Sequence, residues 1–289
     1  MQTIGVIGAG QMGIGIAQTA AHHGYSVLLS DLDIERAEAA KAMIAGSLRR
    51  LEERGKLDGL TADEIEHRIT PVAGYGIFRD ASLVIEAATE REAVKAAIFK
   101  DVAPFLGDGA ILATNTSSIP ITRLAASARD PSRFVGLHFF NPVPRMGLIE
   151  IIPGMATSQA TVEYVVGFAE SLQKQPILSQ DEPGFIVNRL LLPMINEAAF
   201  VLGQGTAGTA DIDKACVLGL NHPIGPLQLA DFIGLDTCLE IMRLLQEMTG
   251  DPKYRPAPLL IKLVEAGWFG RKSGRGFYEY CGNEPVPLR

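Results

Sequence analysis

The sequence predicts an α/β protein: an open, mostly parallel sheet covered by helices on both faces, followed by an all-helical C-terminal domain. Three observations carry this. Short β-branched runs alternate with helical segments from the N-terminus onward. A glycine-rich turn joins the first such run to the first helix. Beyond Glu182 the strand-like runs stop and the pattern becomes helical. A chain of 289 residues exceeds one comfortable core and suits two domains, 1–182 and 183–289.

Residues 3–8 (TIGVIG) form a β-branched run ending in glycine, the pattern of a buried strand. Met12–His23 reads as a helix and Ser26–Ser30 as the next strand, which together make a βαβ unit. A long charged helix is predicted over Ile34–Arg54 and a strand over Leu83–Ala87. Val94, Ile98, Val102 and Phe105 then recur at helical spacing. Strands follow at Ala110–Ala113 and Phe134–His138, and LIEII around Glu150 is strand-like. Pro183 and Gly184 open a long apolar helix with Val187, Leu190, Leu191, Met194, Ala198 and Leu202 on one side.

Composition excludes several function classes. The net charge of −7 argues against a general nucleic-acid binder, which needs an excess of Lys and Arg. No apolar run reaches the ~18 residues that span a bilayer, so no membrane association is expected. The first residues run straight into a strand without a basic, then apolar, leader, so no signal peptide is expected. The three cysteines, Cys216, Cys238 and Cys281, are too few and too scattered for a disulfide framework or a metal cluster. A reduced, cytoplasmic setting is expected.

Gly8-Ala9-Gly10-Gln11-Met12-Gly13 fits G-x-G-x-x-G, and it lies where the physics of nucleotide binding needs it, after the first strand and at the mouth of the first helix. The first glycine permits the tight turn, and the second lets backbone N–H groups approach a pyrophosphate. The third lets helix and strand pack closely, with the helix N-terminus facing the anion. Asp31 closes the second strand, about twenty residues on, where a carboxylate accepts hydrogen bonds from ribose hydroxyls. It would repel the 2′-phosphate of NADP, so a Rossmann-type domain binding NAD is predicted. The competing reading is a tight turn with a helix cap at Asp31 or Asp33.

Oxidising an alcohol with NAD requires a base for the hydroxyl proton, and histidine suits the task. Of the five histidines, His22 and His23 end the first helix, where a cation complements the dipole. His67 lies in a charged, solvent-facing segment. His138 ends the run FVGLH, at the carboxyl edge of a parallel sheet, where ligands of such folds bind. Glu150 in LIEII wants a partner in so apolar a strand, and His138 is the natural one. The pair would set the imidazole tautomer and stabilise an imidazolium. A buried hydrogen-bonded histidine with an unrelated glutamate satisfies the same residues equally well. Ser117 in ATNTSS follows another strand and either binds a substrate oxygen or caps the next turn. Asn188, early in an apolar helix, either faces solvent or has a specific partner.

Taken together, VIGAGQMGIGIA, ATNTSSIPIT, GLHFFNPVP with LIEII, EPGFIVNRLL, GLNHPIGPLQLADFIGLD and GRKSGRGFY resemble the 3-hydroxyacyl-CoA dehydrogenase family, in particular its short-chain 3-hydroxybutyryl-CoA members. The resemblance covers nearly the whole chain. It implies NAD-dependent oxidation of a (3S)-3-hydroxyacyl-CoA, with a catalytic His138–Glu150 pair and Ser117 and Asn188 on the substrate. It implies that Gly8, Gly10, Gln11, Met12, Gly13, Asp31, Glu90, Lys95, Asn141 and, from the C-terminal segment, Lys272 hold NAD. For CoA it points to Ser47 and Lys56, with Arg49, Arg50 and Arg54 near enough to meet phosphates; a solvated helix face is the alternative, because Glu52 and Glu53 are interleaved. It also implies a homodimer formed through the C-terminal domain. The rival readings are a same-fold dehydrogenase of a free hydroxy acid or sugar acid, and a non-enzymatic NAD-binding protein of the lens-crystallin kind.

Overall fold

The computed structural model describes residues 2–282 and 285–287. The chain divides into two units, one up to Phe185 and one from Ile186 onward.

The first unit is built on an eight-stranded sheet, counted among the described residues. Its strands are β1 (Thr3–Ile7), β2 (Ser26–Asp31), β3 (Ile69–Ala73), β4 (Leu83–Glu86), β5 (Ile111–Thr114), β6 (Phe134–Phe139), β7 (Leu148–Pro153) and β8 (Gln175–Leu178). The order is β3-β2-β1-β4-β5-β6-β7-β8. From β3 to β6 this is the doubly wound 3-2-1-4-5-6 arrangement, whose strand order reverses between β1 and β4. All pairings are parallel except β6 with β7, which run antiparallel.

Successive strand residues feed different cores, as the two-residue period of a strand requires. Ile4, Val6, Val27, Leu29, Leu83 and Ile85 bury into one, while Ile7, Leu28 and Val84 bury into the other. Helices α1 (Gln11–His22), α2 (Ile34–Glu52), α3 (Ala62–Glu66), α4 (Glu92–Val102), α5 (Ile121–Ala125) and α6 (Gln159–Ser171) supply the covering layers. Their starts are specified locally. The Asp33 side chain accepts from Arg36 N at 2.9 Å, and Thr61 with Glu64 forms a reciprocal capping box. The inner face of α4 is Lys95, Phe99 and Val102; Val94 and Ile98 are half-buried and Phe105 is exposed beyond the helix, so the expected stripe is rotated.

The second unit consists of α7 (Val187–Gly203), α8 (Thr209–Gly219), α9 (Pro226–Ile233), α10 (Leu235–Thr249) and α11 (Pro258–Glu265), with a hairpin of β9 (Tyr278–Glu279) and β10 (Val286–Pro287). Two features differ from the sequence expectation. Pro183 and Gly184 lie in a turn, with Gly184 and Phe185 in the left-handed region (φ 75° and 49°), and α7 starts only at Val187. Its inner face is Leu192, Ile195, Asn196, Ala198 and Ala199, whereas Leu190 is 70% exposed. The buried amide, Asn196, is satisfied by Arg255 O and Ala257 N.

Two buried carboxylates tie this unit together. Asp213 accepts from Leu227 N, Gln228 N and Tyr278 Oη, and Asp231 accepts from Phe277 N, Tyr278 N and Tyr280 Oη. Leu227 and Gln228, just after NHPIGP, and the GRGFY string therefore carry a structural task. Among the described residues no helix is long and apolar enough to cross a membrane.

Candidate active site

The β1–α1 turn is shaped for an anion. Gly8 adopts φ +105°, and a Cβ there would come within 2.7 Å of Ala87 O. A Cβ on Gly13 would lie 1.7 Å from Gly8 O, so only glycine lets the helix pack this closely on the turn. Gly10 is the N-cap of α1, with no side chain capping the first turn and open space where its Cβ would project. The N–H groups of the first turn of α1 thus carry no capping side chain from Gly10, and a pyrophosphate fits there. Gln11 and Met12 lead off the helix from the same turn.

Asp31 closes β2 and accepts from Ala9 N at 2.6 Å and Leu32 N at 2.8 Å. Partial burial pushes its carboxyl up, but these bonds and Arg36 outweigh burial and hold it below the ordinary aspartate value. Arg36 is spent on Asp31 and Asp33, so the edge keeps carboxylate character and suits ribose hydroxyls better than a further phosphate.

His138 and Glu150 are direct cross-strand partners in the antiparallel β6–β7 ladder. Opposed residues of such a ladder share a face with their Cβ atoms about 5 Å apart. The result is an Nδ1···Oε2 contact of 2.7 Å between side chains 7% and 1% exposed. Nδ1 is thus the ring nitrogen that faces the carboxylate, and a proton on it is the one the carboxylate can accept as a hydrogen bond. Phe140 and Phe185 pack on the ring at centroid distances of 4.5 and 5.8 Å. Asn115, just past β5, accepts from Phe139 N at 2.8 Å and ties the ends of β5 and β6 together.

Ser117 stands beyond the carboxyl end of β5, next to β6. It is organised by Glu90. One Glu90 oxygen accepts from Thr116 Oγ1 and Ser117 N at 2.7 Å, and from Ser117 Oγ and Ser118 Oγ at 3.0 Å. Desolvation pushes the Glu90 carboxyl up, but the charge of Lys95 and these hydrogen bonds more than reverse it. Lys95 is 1% exposed and directs its ammonium at Glu86 and Glu90 rather than into open space.

Ser47 and Lys56 line one cleft of about 800 Å³ together with Arg54, Gln11 and Asn141. Arg49 is turned away to Glu66 at 3.6 Å, and neither it nor Arg50 lines the cleft. His22 and His23 also border it. Burial and the neighbouring His23 push the His22 imidazole below its ordinary value, against the pull of Asp58, so it is a weaker dipole-capping cation than its helix position implies. His67 is exposed.

The remaining expected site residues belong to the second unit. Asn188 is half-buried in the first turn of α7. Lys272 is exposed and pairs with Asp236 at 2.6 Å. Sequence reasoning missed Glu86, Asn115 and the buried Lys174, whose ammonium donates to Val143 O and Met146 O and pins the loop after β6. Only strand register reveals the first two. A lysine in the string LQKQ looks like ordinary surface.

Residues 3–182 match the NAD-binding domain of 3-hydroxyacyl-CoA dehydrogenases, and residues 184–280 match their C-terminal domain. The chain is 50% identical over 289 residues to a 3-hydroxybutyryl-CoA dehydrogenase of Bradyrhizobium diazoefficiens, covering 100% of this chain and 99% of that one. It is 49% identical to a probable 3-hydroxybutyryl-CoA dehydrogenase of Deinococcus radiodurans, over 96% of this chain and 99% of that one. Among solved structures, the (S)-3-hydroxybutyryl-CoA dehydrogenase of Ralstonia eutropha is similar with a TM-score of 0.93 and 46% identity, covering 98% of this chain and 100% of that one. The nucleotide turn, the two-unit architecture and these similarities over the full length have one reading: the chain belongs to the 3-hydroxyacyl-CoA dehydrogenase family.

Proposed function

We propose that the protein interconverts (3S)-3-hydroxyacyl-CoA and 3-ketoacyl-CoA with NAD, and that 3-hydroxybutyryl-CoA is its substrate. The observation that carries the mechanism is the buried His138–Glu150 pair. Nε2 of His138 takes the proton of the 3-hydroxyl as the carbonyl forms, and Glu150 stabilises the imidazolium. NAD, when bound, accepts the hydride leaving C3. Ser117 and Asn188 hold the substrate oxygens. In the reverse direction His138 returns the proton as an acid.

Gly8, Gly10, Gln11, Met12, Gly13 and Asp31 cradle the adenosine diphosphate half of the cofactor, and Glu90, Asn141 and Lys272 its remainder. Lys95 acts on the site through Glu90, because its own ammonium is buried. Ser47, Lys56 and Arg54 suit the phosphates of CoA, since they bring two cations to one cleft. We assign homodimerisation to the helical unit, where Leu190, Leu218, Leu220 and Phe232 remain 50% or more exposed. The mass of the intact chain in solution checks that assignment. The three free cysteines fit a reduced, cytoplasmic setting.

The test is His138→Ala, assayed by NADH consumption with acetoacetyl-CoA. Loss of roughly three orders of magnitude in kcat is expected, with NADH affinity unchanged. A variant keeping most of its activity would refute the base assignment.

A further inference from the structure

Glu86 is the last residue of β4, opposite Ile7 of β1 and Thr114 of β5, and is 0% exposed. Its carboxylate is fully engaged. Oε1 accepts from Ala88 N at 2.8 Å and Lys95 Nζ at 2.9 Å, and Oε2 accepts from Lys95 Nζ at 2.7 Å and Thr114 Oγ1 at 2.6 Å. The same ammonium lies 3.6 Å from Glu90 Oε2. Glu90 in turn gathers the four donors of the 116–118 loop. A continuous charged path thus runs from the sheet interior to Ser117.

Two carboxylates compete for one buried cation, and Glu86 has the closer claim. A buried ammonium robbed of its counter-charge must find another, because the cost of leaving it unpaired is severe. Without the charge on Glu86, Lys95 would close on Glu90. That would draw the Glu90 carboxylate away from the loop it organises.

We propose that Glu86 is a positioning residue for the reaction: by holding Lys95 with both oxygens, it frees Glu90 to order the 116–118 loop and aim the Ser117 hydroxyl. The proposal rests on the reading of Ser117 as a substrate contact. A purely structural Glu86 would satisfy Lys95 and affect stability, with no effect specific to turnover.

The test uses the full chain with Glu86→Gln, Lys95→Met and the double variant. The measurements are kcat and KM for acetoacetyl-CoA, NADH affinity by fluorescence, and the thermal midpoint. Glu86→Gln keeps the shape and removes the charge. Its kcat is expected to fall about tenfold or more with KM held within about threefold. Adding Lys95→Met removes the stranded cation, so the double variant is expected to recover several-fold of the lost kcat, a coupling that independent sites do not show.

Should Glu86→Gln fail to fold, Glu86→Asp keeps the charge but withdraws it from Lys95, and the same loss in kcat with KM held is expected. Wild-type kcat in a folded Glu86 variant, or an equal loss with and without Lys95, would overturn the proposal. Absence of acetoacetyl-CoA turnover by the unmodified protein would instead overturn the functional reading beneath it.

Discussion

Glu150 sits at 1% exposure in the strand LIEIIP and meets one imidazole nitrogen at 2.7 Å. A carboxylate held this way stabilises the cation that forms on His138 more than it stabilises the neutral ring, so its weight falls on the transition state. Glu150→Gln is therefore expected to lower kcat by roughly 10²–10⁴-fold with KM for the thioester little changed. Steady-state kinetics of acetoacetyl-CoA reduction check this. A large rise in KM with kcat preserved would place Glu150 in binding instead. A charge in an apolar run demands a partner, but the residues alone fit an unrelated glutamate equally well; the family resemblance implied the pair and the strand register supplies it. The Glu86–Lys95–Glu90 path was not legible in the sequence, because a glutamate at a strand end and a lysine on the next helix look like two ordinary surface residues until β1, β4 and β5 are laid side by side.

At the scale of elements, the C-terminal hairpin is joined to α9 through Asp231. Burial, with the neighbouring Asp213, pushes the Asp231 carboxyl up from 3.8 to about 6, against the bonds from Phe277, Tyr278 and Tyr280. The unfolded chain gives up this proton near 3.8, whereas the folded chain keeps it to about 6. Over that interval the folded state binds more protons, so this group's contribution is fully present below 3.8 and falls as pH rises towards 6. The thermal midpoint of the wild type minus that of Asp231→Asn should decline across this window and level off above it. A difference that stays flat or rises would show that burial does not govern the group.

Helix identity in this unit was readable from apolar periodicity, but helix phase was not. The turn at 183–186 shifts the start of α7 to Val187, and packing against its neighbours selects Leu192, Ile195 and Ala199 over Leu190. Likewise β8, a short and largely exposed QPIL, carries little of the β-branched signal that betrays a buried strand.

For the whole molecule, the alternation of strands and helices predicts the mostly parallel sheet but not its strand order, and the nucleotide turn falls at the point where that order reverses. Chain order cannot reveal that β7 returns antiparallel to β6, yet this reversal sets His138 opposite Glu150. The cofactor is written locally, in three glycines and one aspartate. The acyl-CoA thioester depends on the cleft beside α2 and on the family, and it bears the most weight in the account. Its most direct test is a comparison of kcat/KM for acetoacetyl-CoA, free acetoacetate and gulonate with NADH or NAD as each requires. A value of about 10⁴ M⁻¹s⁻¹ or more is expected for the thioester, with both free acids lower by orders of magnitude. Negligible turnover of the thioester beside efficient turnover of a free acid would contradict the thioester assignment.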